Sequence, residues 1–100
     1  MKLQILGLAR DDLIEGFHFY EDIETGLGDY FLACLYSDIE GLKVFGGIHI
    51  TPHRHFHRAL SKRFPFAIFY TVDKGVVRVR AVVDCRRKPS WIRQHLKDNQ

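Results

Sequence analysis

The sequence predicts an α+β fold in the order β-α-α-β-β-β-α, and three observations carry that expectation. Through the first half, apolar residues recur every three to four positions, the spacing of one helical face. In the second half the period falls to two, in runs rich in Val, Ile and Phe. Between two of those runs, Asp73-Lys74-Gly75 has the composition of a hairpin turn.

Taken in order, residues 2–7 form a short first strand closed by Gly7. Residues 9–24 read as a helix: Leu13, Phe17 and Tyr20 share one stripe, Ile14 lies beside it, and Asp11, Glu15, Asp22 and Glu24 lie off it. Asp12 and Glu15 have capping-box spacing, with Asp in place of the usual Ser or Thr. Thr25-Gly26-Leu27-Gly28 stops this helix. A second helix is expected over residues 29–42, where Leu27, Phe31, Leu35 and Ile39 repeat at four-residue steps and Leu32 and Leu42 widen the stripe. Gly46-Gly47 ends it. Two helices joined by a short Gly-containing loop should pack as an antiparallel hairpin whose outer faces hold most of the acidic residues.

Residues 55–62 supply the next strand, ended at Phe64-Pro65. Residues 66–72 and 76–83 follow as a hairpin pair. On the last strand Val77, Val79, Ala81 and Val83 are expected to face one way, with Arg78 and Arg80 facing the other. Pro89 suits the first turn of a short final helix, with Trp91, Ile92 and Leu96 as its apolar seat. The N-terminal helical hairpin should therefore cover one face of a small antiparallel sheet.

A chain of 100 residues is read as a single domain, residues 1–100, with a real but modest core. No apolar run approaches the roughly 18 residues of a membrane span, and the charged N-terminus lacks the apolar stretch of a signal peptide. Cys34 and Cys85 are too few and too far apart for a disulfide framework or a metal knuckle. Both are read as reduced thiols in a cytoplasmic protein, with no membrane partner and no cofactor.

Charge is distributed unevenly. Residues 1–50 hold three Lys/Arg against nine Asp/Glu, whereas residues 51–93 hold eleven against two. Such asymmetry predicts one surface that attracts polyanions, built by the C-terminal half. Its candidate contacts to a macromolecular target or nucleic acid are Arg58, Lys62, Arg63, Arg78, Arg80, Arg86, Arg87 and Lys88. Arginines at a strand end can grip phosphate or carboxylate bidentately; the alternative is a solvated turn in which an arginine pairs with Asp84. Cys85, beside Arg86 and Arg87, is placed for a lowered thiol pKa, but without a neighbouring His base it reads as a small strand-end residue. His53, His55 and His57 alternate, so an extended strand would place them on one face. With no carboxylate or Cys nearby, they read as an anion-contacting surface rather than a metal site.

Arg63-Phe64-Pro65-Phe66-Ala67-Ile68-Phe69-Tyr70, then Val76-Val77-Arg78-Val79-Arg80-Ala81-Val82-Val83-Asp84 and Arg86-Arg87-Lys88-Pro89, resemble the C-terminal half of the RelE/ParE superfamily of bacterial toxins. The likeness is to the ParE-like, plasmid-stabilisation branch, and it extends through Ala9-Arg10-Asp11-Asp12-Leu13, Phe19-Tyr20-Glu21 and Gly26-Leu27-Gly28 over about residues 9–96. The resemblance implies the toxin of a type II toxin–antitoxin system, with a cognate acidic antitoxin docking beside the last helix at Trp91, Ile92 and Leu96. It allows a dimer or a toxin–antitoxin hetero-oligomer. The target it implies is DNA gyrase for the ParE-like branch, or ribosome-bound mRNA for the RelE-like ribonucleases. For a ribonuclease the candidates are Arg87, Arg63 and His57. This sequence departs from the ribonuclease pattern in two places: Ala67 stands where those toxins carry an arginine on the middle strand, and their C-terminal tyrosine has no counterpart, Trp91 being unable to exchange a proton. These departures favour gyrase. A relic that keeps the fold only as a binding module is the remaining reading.

Overall fold

A computed structural model describes residues 1–53 and 55–99 of the chain. The elements run β1 (Lys2–Ile5), α1 (Gly7–Ile23), α2 (Leu27–Glu40), α3 (Leu42–Phe45), β2 (His57–Leu60), β3 (Phe66–Asp73), β4 (Val76–Asp84) and α4 (Pro89–Asp98). They form one four-stranded sheet in the order β1-β4-β3-β2. β2, β3 and β4 are antiparallel neighbours as expected, while β1 lies parallel to β4 and makes the sheet mixed.

The helical hairpin forms where the four-residue stripes place it. Ala9, Leu13 and Tyr20 of α1 and Phe31, Leu35 and Ile39 of α2 are buried against Ile68, Tyr70, Val77 and Val79 of the sheet. Phe31 is wholly buried and lies within 5.1 Å, centroid to centroid, of Tyr20, Phe64 and Phe66. Its ring presses on Gly16, where an added Cβ would fall 2.6 Å from it. The apolar face of α1 is therefore Ala9-Leu13-Gly16-Tyr20, and Ile14 and Phe17 lie towards its margin, Ile14 being half exposed.

Several boundaries differ from expectation for local reasons. α2 starts two residues early because the Glu21 carboxylate accepts hydrogen bonds from the Gly26 and Gly28 amides, satisfying the open N-terminus of the helix. It also stops early, at Glu40; Gly41 intervenes and α3 adds a single turn before Gly46. Asp12 does not cap α1. It lies buried within the helix, its Oδ2 accepting the Val82 amide of β4 at 3.0 Å, beyond the point where β1 ends. The β3–β4 hairpin turns on Lys74 and Gly75, both at positive φ (50° and 75°), the two-residue geometry that matches strand twist.

The side-chain alternation predicted for β4 fails midway. Tyr70 pairs with Val79, yet Phe69 pairs with Ala81, so Arg80 is an extra residue that bulges out of the ladder. The bulge reverses the facing of everything after it. Val77, Val79 and Val82 join the core under the helical hairpin, and Ala81 and Val83 turn to the opposite face. There they meet Phe56, Ala67, Phe69 and Leu96 in a second, smaller core, with Ile92 packed against it. The sheet is thus covered on both faces, by α1 and α2 on one side and by α4 with the segment before β2 on the other.

Candidate functional site

The second face carries a cleft between α4 and the segment that precedes β2. Its larger part, about 500 Å³, lies between Pro52, His53 and Phe56 on one side and Arg93, Leu96 and Lys97 on the other. A smaller recess of about 140 Å³ continues from His53 across the sheet, floored by Ala67, Phe69 and Val83 and bounded by Arg58, Cys85 and Ile92. Arg58 enters it because its β3 partner is Phe69, on the same face.

Both walls are fixed from behind. Tyr70 is fully buried on the hairpin side, and its hydroxyl accepts the Gly47 amide at 2.9 Å and donates to His49 Nδ1. His57 stacks on the same ring and donates from Nδ1 to the His49 carbonyl at 2.7 Å. The Arg58 amide donates to the Ile50 carbonyl, so residues 46–50 are tied to β2 and β3. On the other side, His95 Nε2 of α4 donates to both Asp12 oxygens at 2.9 and 3.0 Å. Trp91 stacks on His95 with centroids 4.6 Å apart, the Arg87 guanidinium sits 4.1 Å above Trp91, and Arg87 reaches Glu15 at 3.4 Å.

His49 gives the first wall a pH dependence. Burial, and secondarily the charge on His57, holds the His49 imidazole below the ordinary 6.5. The unfolded chain then binds more protons than the folded one in the interval below 6.5, so stability rises with pH across it. The contribution is complete above 6.5 and is lost as pH falls from there through the depressed folded value. We expect amide exchange over residues 46–50, corrected for its intrinsic pH dependence, to accelerate on acidification. His49→Gln should flatten that profile, and a flat profile in the unaltered chain would refute the mechanism.

The residues singled out in the sequence are dispersed by the fold. Arg58 alone among the eight candidate target contacts lines the cleft. Arg78 donates to Gln4 and Arg80 to Thr71. Arg86 makes a two-pronged pair with Asp84, the bond that chiefly holds the Asp84 carboxyl below its usual range, so the turn pairing is what forms there. Lys62, Arg63 and Lys88 are exposed, the Lys62 amide being tied to Asp38 of α2. Ile92 and Leu96 face the second core, and Trp91 is partly exposed on the flank of α4 that His95 ties to α1. The three histidines do not share a face: His57 lies on Tyr70, His53 beside Phe69 on the opposite side of the sheet, and His55 on Phe56 in the turn. The Cys85 thiol, although its residue reaches the surface, is pushed up by partial burial over the recess, against the lowering expected from neighbouring arginines.

The sequence reading passed over Arg93 and Lys97. Ser90, Arg93 and Lys97 recur at helical spacing, the signal of one stripe on α4, and all three line the larger part of the cleft. The His95–Asp12 bond had no local signal, because 83 positions separate its partners.

A helical hairpin on one face of a β1-β4-β3-β2 sheet, with a C-terminal helix on the other, is the ParE-like α+β arrangement. A solved chain with this fold comes from the chromosomal ParDE toxin–antitoxin system of P. aeruginosa, with a TM-score of 0.78 and 14% identity over 84% of this chain and 95% of that one. At that identity the likeness shows the fold. No protein-family model matches the sequence, and no curated protein is found similar to it. Among the described residues, no helix is long and apolar enough to cross a membrane.

Proposed function

We propose that this chain is the toxin of a type II toxin–antitoxin pair and that it acts by binding DNA gyrase, an acidic antitoxin neutralising it by docking along α4. The observation that carries the reading is the fold shared with a chain of the ParDE system across 84% of this chain and 95% of that one. Binding is favoured over RNA cleavage by what the fold does with the nuclease candidates. A ribonuclease of this type needs a base, an acid and a cation about one phosphate. His57 is spent on Tyr70 and the His49 carbonyl, on the hairpin side of the sheet. Arg87 lies over Trp91 against Glu15, and Arg63 stands exposed in the β2–β3 turn. The floor of the recess is apolar, Ala67, Phe69 and Val83, and none of the three nuclease candidates lines the cleft.

Inducible expression of the chain alone tests the proposal. The expected result is growth arrest with broken chromosomal DNA and intact transcripts, relieved when the gene for the antitoxin is expressed beside it. Ribosome-dependent cleavage of transcripts, lost in Arg87→Ala, would replace gyrase by mRNA as the target. Harmless overexpression would overturn the toxin reading itself.

A further inference from the structure

We propose that the cleft between α4 and the side chains of Pro52, His53 and Phe56 is a binding site for a small nucleoside phosphate, on the scale of a mononucleotide. The inference begins with the sign of its walls. His53 from the loop, Arg58 from β2, and Arg93 and Lys97 from α4 all line the cleft, and among the described residues no Asp or Glu does. Arg58, Arg93 and Lys97 form no salt bridge among the described residues, although this chain pairs Lys43, Arg86 and Arg87 with carboxylates elsewhere. Three permanent cations and an imidazole, delivered by three separate elements, suit a multiply charged anion better than a single carboxylate.

The remaining lining gives the ligand its second part. Phe56 and Leu96 are flush, buried walls, and Ala67, Phe69 and Val83 floor the recess, so a ligand that is anionic at one end has apolar surface for a flat group at the other. Ser90 adds a hydroxyl, and Gln94, whose Nε2 donates to Asp98, adds an amide oxygen for polar ring edges or a sugar. About 500 Å³ lies in the range of small-ligand pockets and suits a base, a sugar and a phosphate together.

The cleft is also held open by bonds made outside it. The α4 wall is anchored through His95 and Asp12, and the segment leading into the other wall is tied at Gly47 and His49 to Tyr70 and His57, so Arg93 and Lys97 are carried by a helix that is already fixed. None of those anchors depends on the toxin reading.

Titration calorimetry of the purified chain at low salt with AMP, adenosine, inorganic phosphate and a ten-residue acidic peptide tests the assignment. AMP should bind, adenosine and phosphate should each bind at least about tenfold more weakly, and Arg58→Gln and Arg93→Gln should each weaken AMP about tenfold or more. Lys74→Gln, at the tip of the β3–β4 turn, should leave binding unchanged. Arg93 and Lys74 are exposed and Arg58 is half-buried, and none of them belongs to either core, so retention of the thermal transition shows that any loss is of binding. Tighter binding of the peptide or of inorganic phosphate than of AMP, or an unchanged affinity in both arginine variants, would overturn the proposal. So would binding of a single-stranded oligonucleotide without any binding of AMP, which would make the cleft a strand-binding surface. Growth arrest is read separately in cells, so failure here leaves the toxin reading standing, and harmless expression leaves the binding result standing.

Discussion

Phe31→Ala is expected to be the most damaging single truncation in this chain, and Gly16→Ala should change sign when the two are combined. Phe31 is fully buried where α1, α2 and β3 meet, in contact with the rings of Tyr20, Phe64 and Phe66. Removing a buried Phe costs about 3–5 kcal/mol through lost transfer energy and the cavity left behind. For a chain of this size that is a drop in Tm of well over about 10 °C, and about a fifth or more of a typical total stability of about 5–15 kcal/mol. Gly16→Ala alone meets the Phe31 ring at 2.6 Å and must displace it within a packed core, an overpacking cost of about 1–3 kcal/mol. That cost outweighs the gain of up to about 1 kcal/mol from replacing Gly by Ala within a helix. With Phe31 reduced to Ala the obstruction is gone, so the helix-propensity gain should remain and the second substitution should stabilise. Urea denaturation of the two single variants and the double variant gives the coupling directly. Additive effects would mean that Gly16 is not held by Phe31.

The same pair of residues shows what could be read in advance. Phe31 belongs to a four-residue repeat that needs no knowledge of its partners, and the whole helical hairpin was legible on that ground. So was the β3–β4 hairpin, since Lys74-Gly75 sits between two period-two runs. Gly16 was silent, because a small residue on an apolar stripe looks the same whether or not a ring leans on it. The bulge at Arg80 was silent for a related reason: it is defined by a count of residues on the opposite strand. From the sequence, Arg80 simply continues the alternation of Arg78. Missing it moved Ala81 and Val83 to the wrong face and hid the second core on which the cleft is built. The basic character of the C-terminal half was visible as composition. Which cations converge was not, since Arg86 and Arg87 are drawn to Asp84 and Glu15 while Arg58, Arg93 and Lys97 are left facing the cleft.

The second large effect is expected at Asp12, which joins three elements through one carboxylate. It accepts the Val82 amide and the His95 imidazole from within the first core, and burial pushes its pKa up more than those two bonds pull it down. A buried charge of this kind is costly to form and more costly to orphan. Asp12→Ala leaves the Val82 N–H without an acceptor, which costs about 1–3 kcal/mol at a buried site, and it cuts α4 loose from α1 as well. Asp12→Asn keeps a carbonyl for Val82 and should lose less. Its stability should also lack one feature of the unaltered chain. Because the folded carboxyl titrates above 3.8, the folded state takes up a proton first as pH falls, and the unaltered chain gains stability over that interval relative to the Asn variant. The readout that separates this from simple core damage is Trp91, the only tryptophan, stacked on His95 where α4 meets α1. Asp12→Ala and His95→Ala should both shift its emission to the red and accelerate amide exchange throughout α4 under conditions where the sheet remains protected. Phe31→Ala should lower the global transition without selective loosening of α4. Since α4 carries Arg93 and Lys97, Asp12→Ala and His95→Ala should also weaken any anion held in the cleft although neither altered side chain lines it. If α4 exchanges no faster once Asp12 is removed, the helix is held by Leu96 and Ile92 alone, and the carboxylate serves only the open edge of β4.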